Sequence, residues 1–137
     1  MNLRNLLVEV SSEAGALVFV EPVYSAFENP DAVHLNFERA SYTVGQNPDD
    51  DTITLLRRKL PSIHPASEVE PFSRAIGKRV LWAWILTNQQ GYTDGLQFEF
   101  WKSAEEEQVV VQFIAEASQL FVRQVPACHF GGRRKGK

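Results

Sequence analysis

Residues 79–100, RVLWAWILTNQQGYTDGLQFEF, decide the fold of this chain. Residues 80–86 are apolar without interruption, which predicts a strand buried on both faces in the middle of a sheet. Leu96, Phe98 and Phe100 then alternate with polar residues, the period-2 pattern of a half-buried strand. Residues 88–95 between the two runs have the composition of a loop. The stretch therefore predicts two strands joined by a polar loop.

Similar patterns lie on both sides of this stretch. Alternating apolar residues predict six further strands, at residues 16–20, 33–37, 41–44, 52–59, 105–115 and 118–125. The apolar side chains of residues 2–12 fall on one helical face, which predicts a helix at the start of the chain. A second short helix is predicted at residues 68–76, because Ser67 and Glu70 have the spacing of a capping box.

The two halves of the chain resemble each other. Gly15 and Gly77 are 62 positions apart, as are Val18 and Val80, and residues 31–37 match residues 94–100 at an offset of 63. We therefore predict an α+β fold, mainly antiparallel β-sheet, with two similar α-β-β-β-β halves related by a pseudo-twofold axis and about eight strands. The predicted single globular domain is residues 1–126, with repeats at about 2–61 and 66–126, followed by a flexible basic tail at 127–137. Any two hairpins share alternating apolar residues, so superposition of the halves is the test of the repeat.

The inward-facing positions of the predicted strands give a list of expected core residues. The list is Val18, Val20, Leu35, Phe37, Leu81, Ala83, Ile85, Phe98, Phe100, Val111 and Phe113. Four more aromatic residues are also assigned to the core, although they have the side chains to line a ligand pocket, namely Trp82, Trp84, Trp101 and Tyr92.

The charge distribution bears on the partners of the protein. The chain carries 14 Lys and Arg and 17 Asp and Glu, and four of the basic residues lie in the last five positions. Residues 1–132 therefore carry 10 basic and 17 acidic side chains, a net charge of −7. An acidic body disfavours nucleic acid as a partner, apart from the basic tail, and favours a basic protein.

Targeting signals and disulfides bear on the compartment. The one cysteine, Cys128, excludes an internal disulfide. The sequence shows neither a signal peptide nor an apolar run of the roughly 18–20 residues that span a membrane. We expect a cytoplasmic, bacterial protein without a membrane partner, and a homodimer is left open.

No arrangement of residues in the sequence predicts catalysis, a metal or a cofactor. Residues 49–51 are three consecutive aspartates, but they lack the spacing of a calcium loop and are typical of a solvated turn. His34, His64 and His129 have no metal-ligand spacing, and Cys128 lies in the predicted tail. We therefore predict no catalytic residue, no metal and no cofactor.

The binding residues are predicted on two loops. The loop of residues 88–95 is rich in amides, and its counterpart in the first half precedes residue 32. The predicted binding residues are Asn88, Gln89, Gln90, Tyr92, Asp94, Asp31 and Glu28. The sequence favours a small non-enzymatic interaction protein, of the kind that immunity proteins and antitoxins represent, which inhibits a basic partner. The alternative is a small-ligand-binding protein or an enzyme with its site in the cleft between the two halves.

Overall fold

The structure is a computed structural model that describes residues 2–25, 28–61 and 69–126. In this part of the chain one α-helix precedes eight strands. They are α1 (Leu3–Ser12), β1 (Leu17–Val23), β2 (Ala32–Phe37), β3 (Ser41–Asn47), β4 (Thr52–Arg58), β5 (Arg79–Thr87), β6 (Thr93–Trp101), β7 (Val109–Glu116) and β8 (Gln119–Val125).

The strands form two four-stranded antiparallel sheets. The order is β1-β2-β3-β4 in the first sheet and β5-β6-β7-β8 in the second. Each sheet is a meander, because every strand pairs with its neighbour in sequence. The predicted α+β class, the eight strands and their antiparallel pairing are confirmed, and the strand order is the same in both halves. The pseudo-twofold relation between the sheets stays a prediction.

The two sheets pack face to face around one core. β4 lies over β6 and β7, and β3 lies over β7 and β8. The core between them is aromatic and aliphatic, and its largest fully buried side chains include Phe37, Tyr42, Phe98, Phe100 and Phe113. Such a sandwich buries one face of each sheet, which a single four-stranded meander of this size cannot do alone.

Helix α1 packs against β5 and β4 and thereby contacts both sheets. Its N-cap is Asn2, whose side-chain oxygen accepts the backbone N–H of Asn5 at 2.9 Å. Leu6, Leu7 and Val10 are buried on its inner face, as the apolar spacing predicts.

The prediction of a second helix is wrong, because the described residues of this segment do not form an α-helix. Between residue 69 and Gly77 the chain forms only a 3-10 turn, Ser73–Ala75. Pro71 explains the difference, because it has no N–H to donate and disfavours helical backbone at the residue before it. The predicted N-cap, Ser67, lies outside the described residues.

The first strands of the two sheets meet at their starts. Gly15 and Gly77 have φ angles of +86° and +87°, a conformation that favours glycine. Just after them, the N–H of Leu17 donates to the carbonyl of Lys78, and the N–H of Gly77 donates to the carbonyl of Leu17, both at 2.8 Å. An antiparallel bridge between Ala16 and Arg79 completes the contact. The matched glycines therefore start β1 and β5 at a shared junction.

A β-bulge follows this junction in each sheet. The register shifts between Leu17 and Phe19 in β1 and between Val80 and Trp82 in β5. Leu17 pairs with Phe37 and Val80 pairs with Phe100, so the strands correspond at an offset of 63 rather than 62. The predicted match of Val18 with Val80 is therefore wrong by one residue.

The bulges correct the predicted core. Val18 and Leu81 are the extra residues of the two bulges and are only half-buried, whereas their neighbours Leu17 and Val80 are fully buried. Ala83 and Ile85 point to the predicted face but are also half-buried, because they lie on an edge strand. The other predicted core residues are buried, namely Val20, Leu35, Phe37, Phe98, Phe100, Val111 and Phe113.

Candidate functional site

The predicted binding loop is a tight turn held by Asn88. The side-chain oxygen of Asn88 accepts the backbone N–H groups of Gln90 at 2.9 Å and of Tyr92 at 3.2 Å. Its backbone N–H donates to the carbonyl of Tyr92 at 2.9 Å. Asn88 therefore holds the turn, and Gln89, Gln90 and Tyr92 are the exposed side chains that it presents.

Asp94 differs from the prediction, because it belongs to β6 rather than to the loop. The register between β5 and β6 shifts between Leu86 and Thr87, which pair with Gly95 and Thr93. Asp94 is the extra residue of this irregularity and is half-buried. Its carboxyl group stands at the base of the turn.

The other predicted binding residues lie in a different place. Glu28 lines a cavity of about 260 Å³ together with Asn29, Phe72 and Val122. Asn29 donates its side-chain amide to the side-chain oxygen of Gln119 in β8 at 2.9 Å. Asp31, exposed at the start of β2, donates its backbone N–H to the carbonyl of Val23 at 2.7 Å.

The two predicted loops therefore do not form one surface. β1 and β5 start at the shared junction and run antiparallel from it, over 7 and 9 residues. Because each residue adds about 3.3 Å to a strand, the far ends of β1 and β5 lie in opposite directions from the junction. The two loops therefore lie in opposite directions from the junction, and a pseudo-twofold relation between them stays a prediction.

A groove of about 500 Å³ lies between α1 and β5. Arg4, Leu7, Val8 and Ser11 of α1 line one wall, and residues 81–85 and 87 of β5 line the other. Consecutive residues of a strand point to opposite faces of its sheet, so a groove lined by five in a row runs along the strand's edge. We refer to it as the α1–β5 groove.

Exposed apolar side chains mark this groove. Val8 is 59% exposed, Trp82 57% and Trp84 49%. The assignment of Trp82 and Trp84 to the core is therefore wrong, as is that of Tyr92, which is also exposed. The two tryptophans pair across the sheet with Glu99 and Gln97, on the face of the second sheet that points away from the core. The sequence suggested a strand buried on both faces, but β5 is an edge strand.

The carboxylate of Glu99 lies beside this tryptophan pair. Its Oε2 accepts the indole N–H of Trp84 at 2.5 Å and the amide of Gln97 at 3.3 Å. Its Oε1 accepts the amide of Gln108 at 2.9 Å. Three donors from β5, β6 and the segment before β7 therefore fix the position of this carboxylate.

A chain of hydrogen bonds extends from Glu99 across the outer face of the second sheet. Gln112 donates to the side-chain oxygen of Gln97 at 2.7 Å. The guanidinium of Arg123 donates to the side-chain oxygen of Gln112 through Nε at 3.0 Å and through one Nη at 2.9 Å. We refer to Arg123, Gln112, Gln97 and Glu99 as the amide ladder. All its donors point toward Glu99, so it connects a cation at one end to an anion at the other.

The third tryptophan has a partner within the chain. The guanidinium carbon of Arg79 lies 5.6 Å from the centre of the Trp101 ring, within the range of a cation–π contact. Arg79 and Trp101 pair directly across β5 and β6. Trp101 and Tyr92 are absent from the lining of the α1–β5 groove, so only Trp82 and Trp84 of the four predicted pocket residues reach it.

The sequence profile of a family of unknown function matches residues 7–129, which is most of the chain. The chain belongs to this family, DUF6334. No curated protein and no solved structure matches the chain. The DUF6334 profile covers both sheets and most of α1, and therefore every residue that lines the α1–β5 groove except Arg4.

Of the three histidines in this DUF6334 chain, His34 is the one that lies among the described residues. It lies on the outward face of β2, and its Nδ1 is 2.8 Å from the hydroxyl of Thr43 on β3. Burial lowers the pKa of His34 from its ordinary value of 6.5, the charge of Arg58 lowers it further, and Glu21 opposes both. His34 therefore favours the neutral form.

Among the residues that the structure describes, no group of three or more His, Cys, Asp and Glu side chains is arranged to hold a metal ion. None of their helices has the length and apolar character needed to cross a membrane. Cys128, His129 and the basic tail lie outside the described residues, as does His64.

Proposed function

We propose that this protein is a non-enzymatic binding protein, and that it captures an extended segment of a basic protein partner in the α1–β5 groove. The observation that carries the proposal is the exposure of two neighbouring tryptophans in that groove. Tryptophan is the residue type most enriched among the side chains that dominate binding energy in protein interfaces. Two of them on one edge strand, beside an exposed valine, form an apolar patch of the kind that marks an interaction site.

The edge of β5 supports an extended occupant. Within the described residues, the outer edge of β5 pairs only at its first residues, through the bridge between Ala16 and Arg79. The remaining edge faces the groove, and an edge strand with unpaired backbone groups is a template for another strand. An extended peptide can add to such an edge through main-chain hydrogen bonds while its side chains enter flanking pockets.

The charge of the protein supports a basic occupant. Residues 1–132 carry a net charge of −7, which attracts a basic partner and steers its approach. Arg4 lines the helix wall of the groove, and the carboxylate of Glu99 lies beside the groove, where it accepts the indole N–H of Trp84. Cationic side chains of the partner are therefore expected on the tryptophan side, away from Arg4.

The predicted loop is continuous with this groove. Thr87 lines the groove and directly precedes Asn88, so a segment that follows β5 reaches the turn and the exposed Tyr92. Inhibition of the partner, in the manner of an immunity protein or an antitoxin, and action in a bacterial cytoplasm are parts of the same proposal. They rest on the acidic body and the single cysteine.

A second candidate is the binding of a small ligand in the same groove. α1 belongs to the first half of the chain and β5 to the second, so the groove lies in the cleft between the halves. Its volume of about 500 Å³ falls within the range of small-molecule sites. Native mass spectrometry of protein purified from its host distinguishes the two, because a retained small molecule adds a defined mass.

The test of the leading proposal is capture from a lysate of the host. The full chain, the double variant Trp82→Ser/Trp84→Ser and the control Leu56→Ser are immobilised, and the bound proteins are identified by mass spectrometry. Leu56 is 63% exposed and lies on the first sheet, so its replacement removes an exposed apolar side chain elsewhere. Denaturant melts of all three proteins check that they are folded.

We expect one basic protein to be retained by the wild type and by Leu56→Ser. The tryptophan double variant should retain at least about tenfold less, because loss of two central tryptophans removes the main anchors. Equal retention by the folded double variant would show that the groove is not the binding site. Retention of an acidic protein by the wild type would contradict the charge argument.

A further inference from the structure

We propose that Trp82, Trp84 and Glu99 together bind the guanidinium group of an arginine side chain of the partner. This inference rests on the proposed function, because it names the group that the α1–β5 groove recognises. It adds a specific chemical contact at one end of the tryptophan pair.

The two indole rings lie too close together to hold a cation between them. Their centres are 6.5 Å apart and their planes are inclined by 38°. Rings that hold a flat cation between them need about 7 Å, since each contact takes about 3.5 Å. The cation therefore lies over the exposed faces of the rings rather than between them. Trp82 and Trp84 are each about half exposed, so each side chain has accessible surface for such a contact.

Within the part of the chain that the structure describes, the carboxylate of Glu99 has one acceptor position left. A carboxylate offers about four lone-pair positions, two on each oxygen. Among the described residues, Oε2 accepts from Trp84 and Gln97, while Oε1 accepts from Gln108 alone. The remaining position on Oε1 suits one N–H donor. Glu99 pairs across the strands with Trp82, so its carboxylate lies in the same row of side chains as the Trp82 ring.

The amide ladder fixes the carboxylate before the ligand arrives. Gln97 takes its orientation from Gln112, which in turn takes its orientation from the two N–H groups of Arg123. A carboxylate that is already oriented loses little conformational entropy on binding. The half-buried position of Glu99 also strengthens its attraction for a cation compared with a carboxylate in water.

The protein contains the same kind of contact at the next row of the same two strands. Arg79 places its guanidinium over Trp101, with 5.6 Å between the guanidinium carbon and the ring centre. The row that follows pairs Trp82 with Glu99 and has no cation of its own among the described contacts. A guanidinium suits this row better than an ammonium, because it is flat, stacks on aromatic faces and is less strongly hydrated.

The test uses the three indole N–H signals of the full chain, labelled with ¹⁵N and observed by NMR. The probe is Nα-acetyl-arginine-N-methylamide, and the matched control is the citrulline analogue, which has the same shape without the charge. Trp101 is the internal control, because Arg79 occupies its ring. The variants are Glu99→Gln, which keeps an acceptor for the indole of Trp84, and Leu56→Ser.

We expect the arginine probe to shift the signals of Trp82 and Trp84 in a saturable way and to leave that of Trp101 unchanged. The citrulline probe should bind about three- to fivefold more weakly, the factor expected for a cation–π contact at an exposed site. Glu99→Gln should reduce binding of the arginine probe to a similar extent, and Leu56→Ser should not change it.

Equal binding of the two probes, or equal shifts at all three tryptophans, would overturn the assignment of a guanidinium site. Full binding of the arginine probe by Glu99→Gln would overturn the role of the carboxylate. These outcomes are separate from the capture test. Capture that depends on the tryptophan pair, with no preference for arginine over citrulline, rejects the guanidinium site and keeps the proposed function.

Discussion

The carboxylate of Asp51 accepts the backbone N–H of Ser118 at 2.7 Å and so joins the β3–β4 turn to the β7–β8 turn. The hydroxyl of Ser118 donates back to the carbonyl of Pro48 at 2.9 Å. These turns occupy equivalent places in the two meanders. The contact therefore connects the two sheets at a point separate from the junction of β1 and β5.

Asp51 provides the first prediction. Its φ angle is +53°, in the left-handed region. Alanine at this position removes the contact to Ser118, and it also tolerates left-handed backbone less well than aspartate does. We expect Asp51→Ala to lower the free energy of unfolding by about 2–3 kcal/mol, the sum of a hydrogen bond and a backbone penalty. Asp51→Asn tolerates the backbone and keeps an acceptor, so it should lose less than half as much. Equal losses for the two variants in urea melts would contradict this account, because asparagine keeps both the acceptor and the tolerance of left-handed backbone.

The second prediction concerns the core. Phe98 is fully buried, and its ring centre is 5.6 Å from that of Phe113 and 6.3 Å from that of Phe100. We expect Phe98→Ala to lower the free energy of unfolding by about 3–5 kcal/mol, since it leaves a cavity between the sheets. Leu56→Ala, at an exposed position, is the control and should change it by less than about 1 kcal/mol. A loss below about 1 kcal/mol for Phe98→Ala would contradict the packing of this sheet face.

The third prediction concerns the attachment of α1. The hydroxyl of Tyr42 donates to Oε1 of Glu9 at 2.5 Å, and the side chain of Glu9 is 12% exposed. Burial and this hydrogen bond to Glu9 raise the pKa of Tyr42 well above its ordinary value of 10, so the hydroxyl stays protonated. We expect Tyr42→Phe to lower the free energy of unfolding by about 1.5–3 kcal/mol, the range for a hydrogen bond to a charged group.

Tyr24→Phe is the matched control for Tyr42→Phe. Tyr24 is 58% exposed, so loss of its hydroxyl should leave stability unchanged in the same denaturant melt. If both variants lose equal stability, the contact between Tyr42 and Glu9 does not hold the helix to the first sheet.

The fourth prediction is a pH dependence that arises from His34. The pKa of His34 in the folded protein lies below 6.5, mainly because of burial and then because of Arg58. As the pH falls below 6.5, the unfolded chain binds a proton that the folded protein resists, so stability decreases. The stability is regained above pH 6.5, where both states are neutral.

Comparison of His34→Gln with the wild type isolates this effect. Glutamine occupies the matching position, Gln97, in the second half and does not titrate. The difference in stability between pH 7.5 and pH 5.5 should be smaller for His34→Gln than for the wild type in urea melts. A difference of the same size in both proteins would assign the pH dependence to other groups.

The fifth prediction tests the predicted loop against the groove. Tyr92 is 51% exposed, and Asp94 is half-buried at the base of the turn. If the partner extends along β5 to the turn, Tyr92→Ala/Asp94→Ala should weaken capture of the same basic protein. Asn88→Ala is the control for the turn itself, because it removes the acceptor of two backbone N–H groups. Capture at wild-type strength by the folded Tyr92→Ala/Asp94→Ala variant would place the loop outside the interface.

Local sequence determines much of this fold. Apolar patterns predict all eight strands. An uninterrupted apolar run predicts β5, and alternation predicts the others, because a strand with one buried face repeats every two residues. The paired glycines before β1 and β5 are also visible in the sequence, since each of the two positions needs a backbone conformation that other residues avoid. The order of the strands in the two halves follows from these local signals alone.

The bulges could not be read from the pattern. One extra residue in β1 and one in β5 shift the register, and a shift of one residue moves every side chain to the other face. Val18 was therefore assigned to the core in place of its neighbours Leu17 and Phe19, which are buried. Only the pairing of each strand with its partner decides where the extra residue is placed.

The candidate site was also decided by tertiary structure. Residues 80–86 carry the apolar composition of a central strand, yet β5 lies at the edge of its sheet, beside α1. Composition indicates how much apolar surface a strand has, and the position of the strand in the sheet decides whether that surface is covered. Trp82 and Trp84 were therefore visible in the sequence as residues, but their exposure beside Glu99 depends on contacts between segments that are distant in the chain.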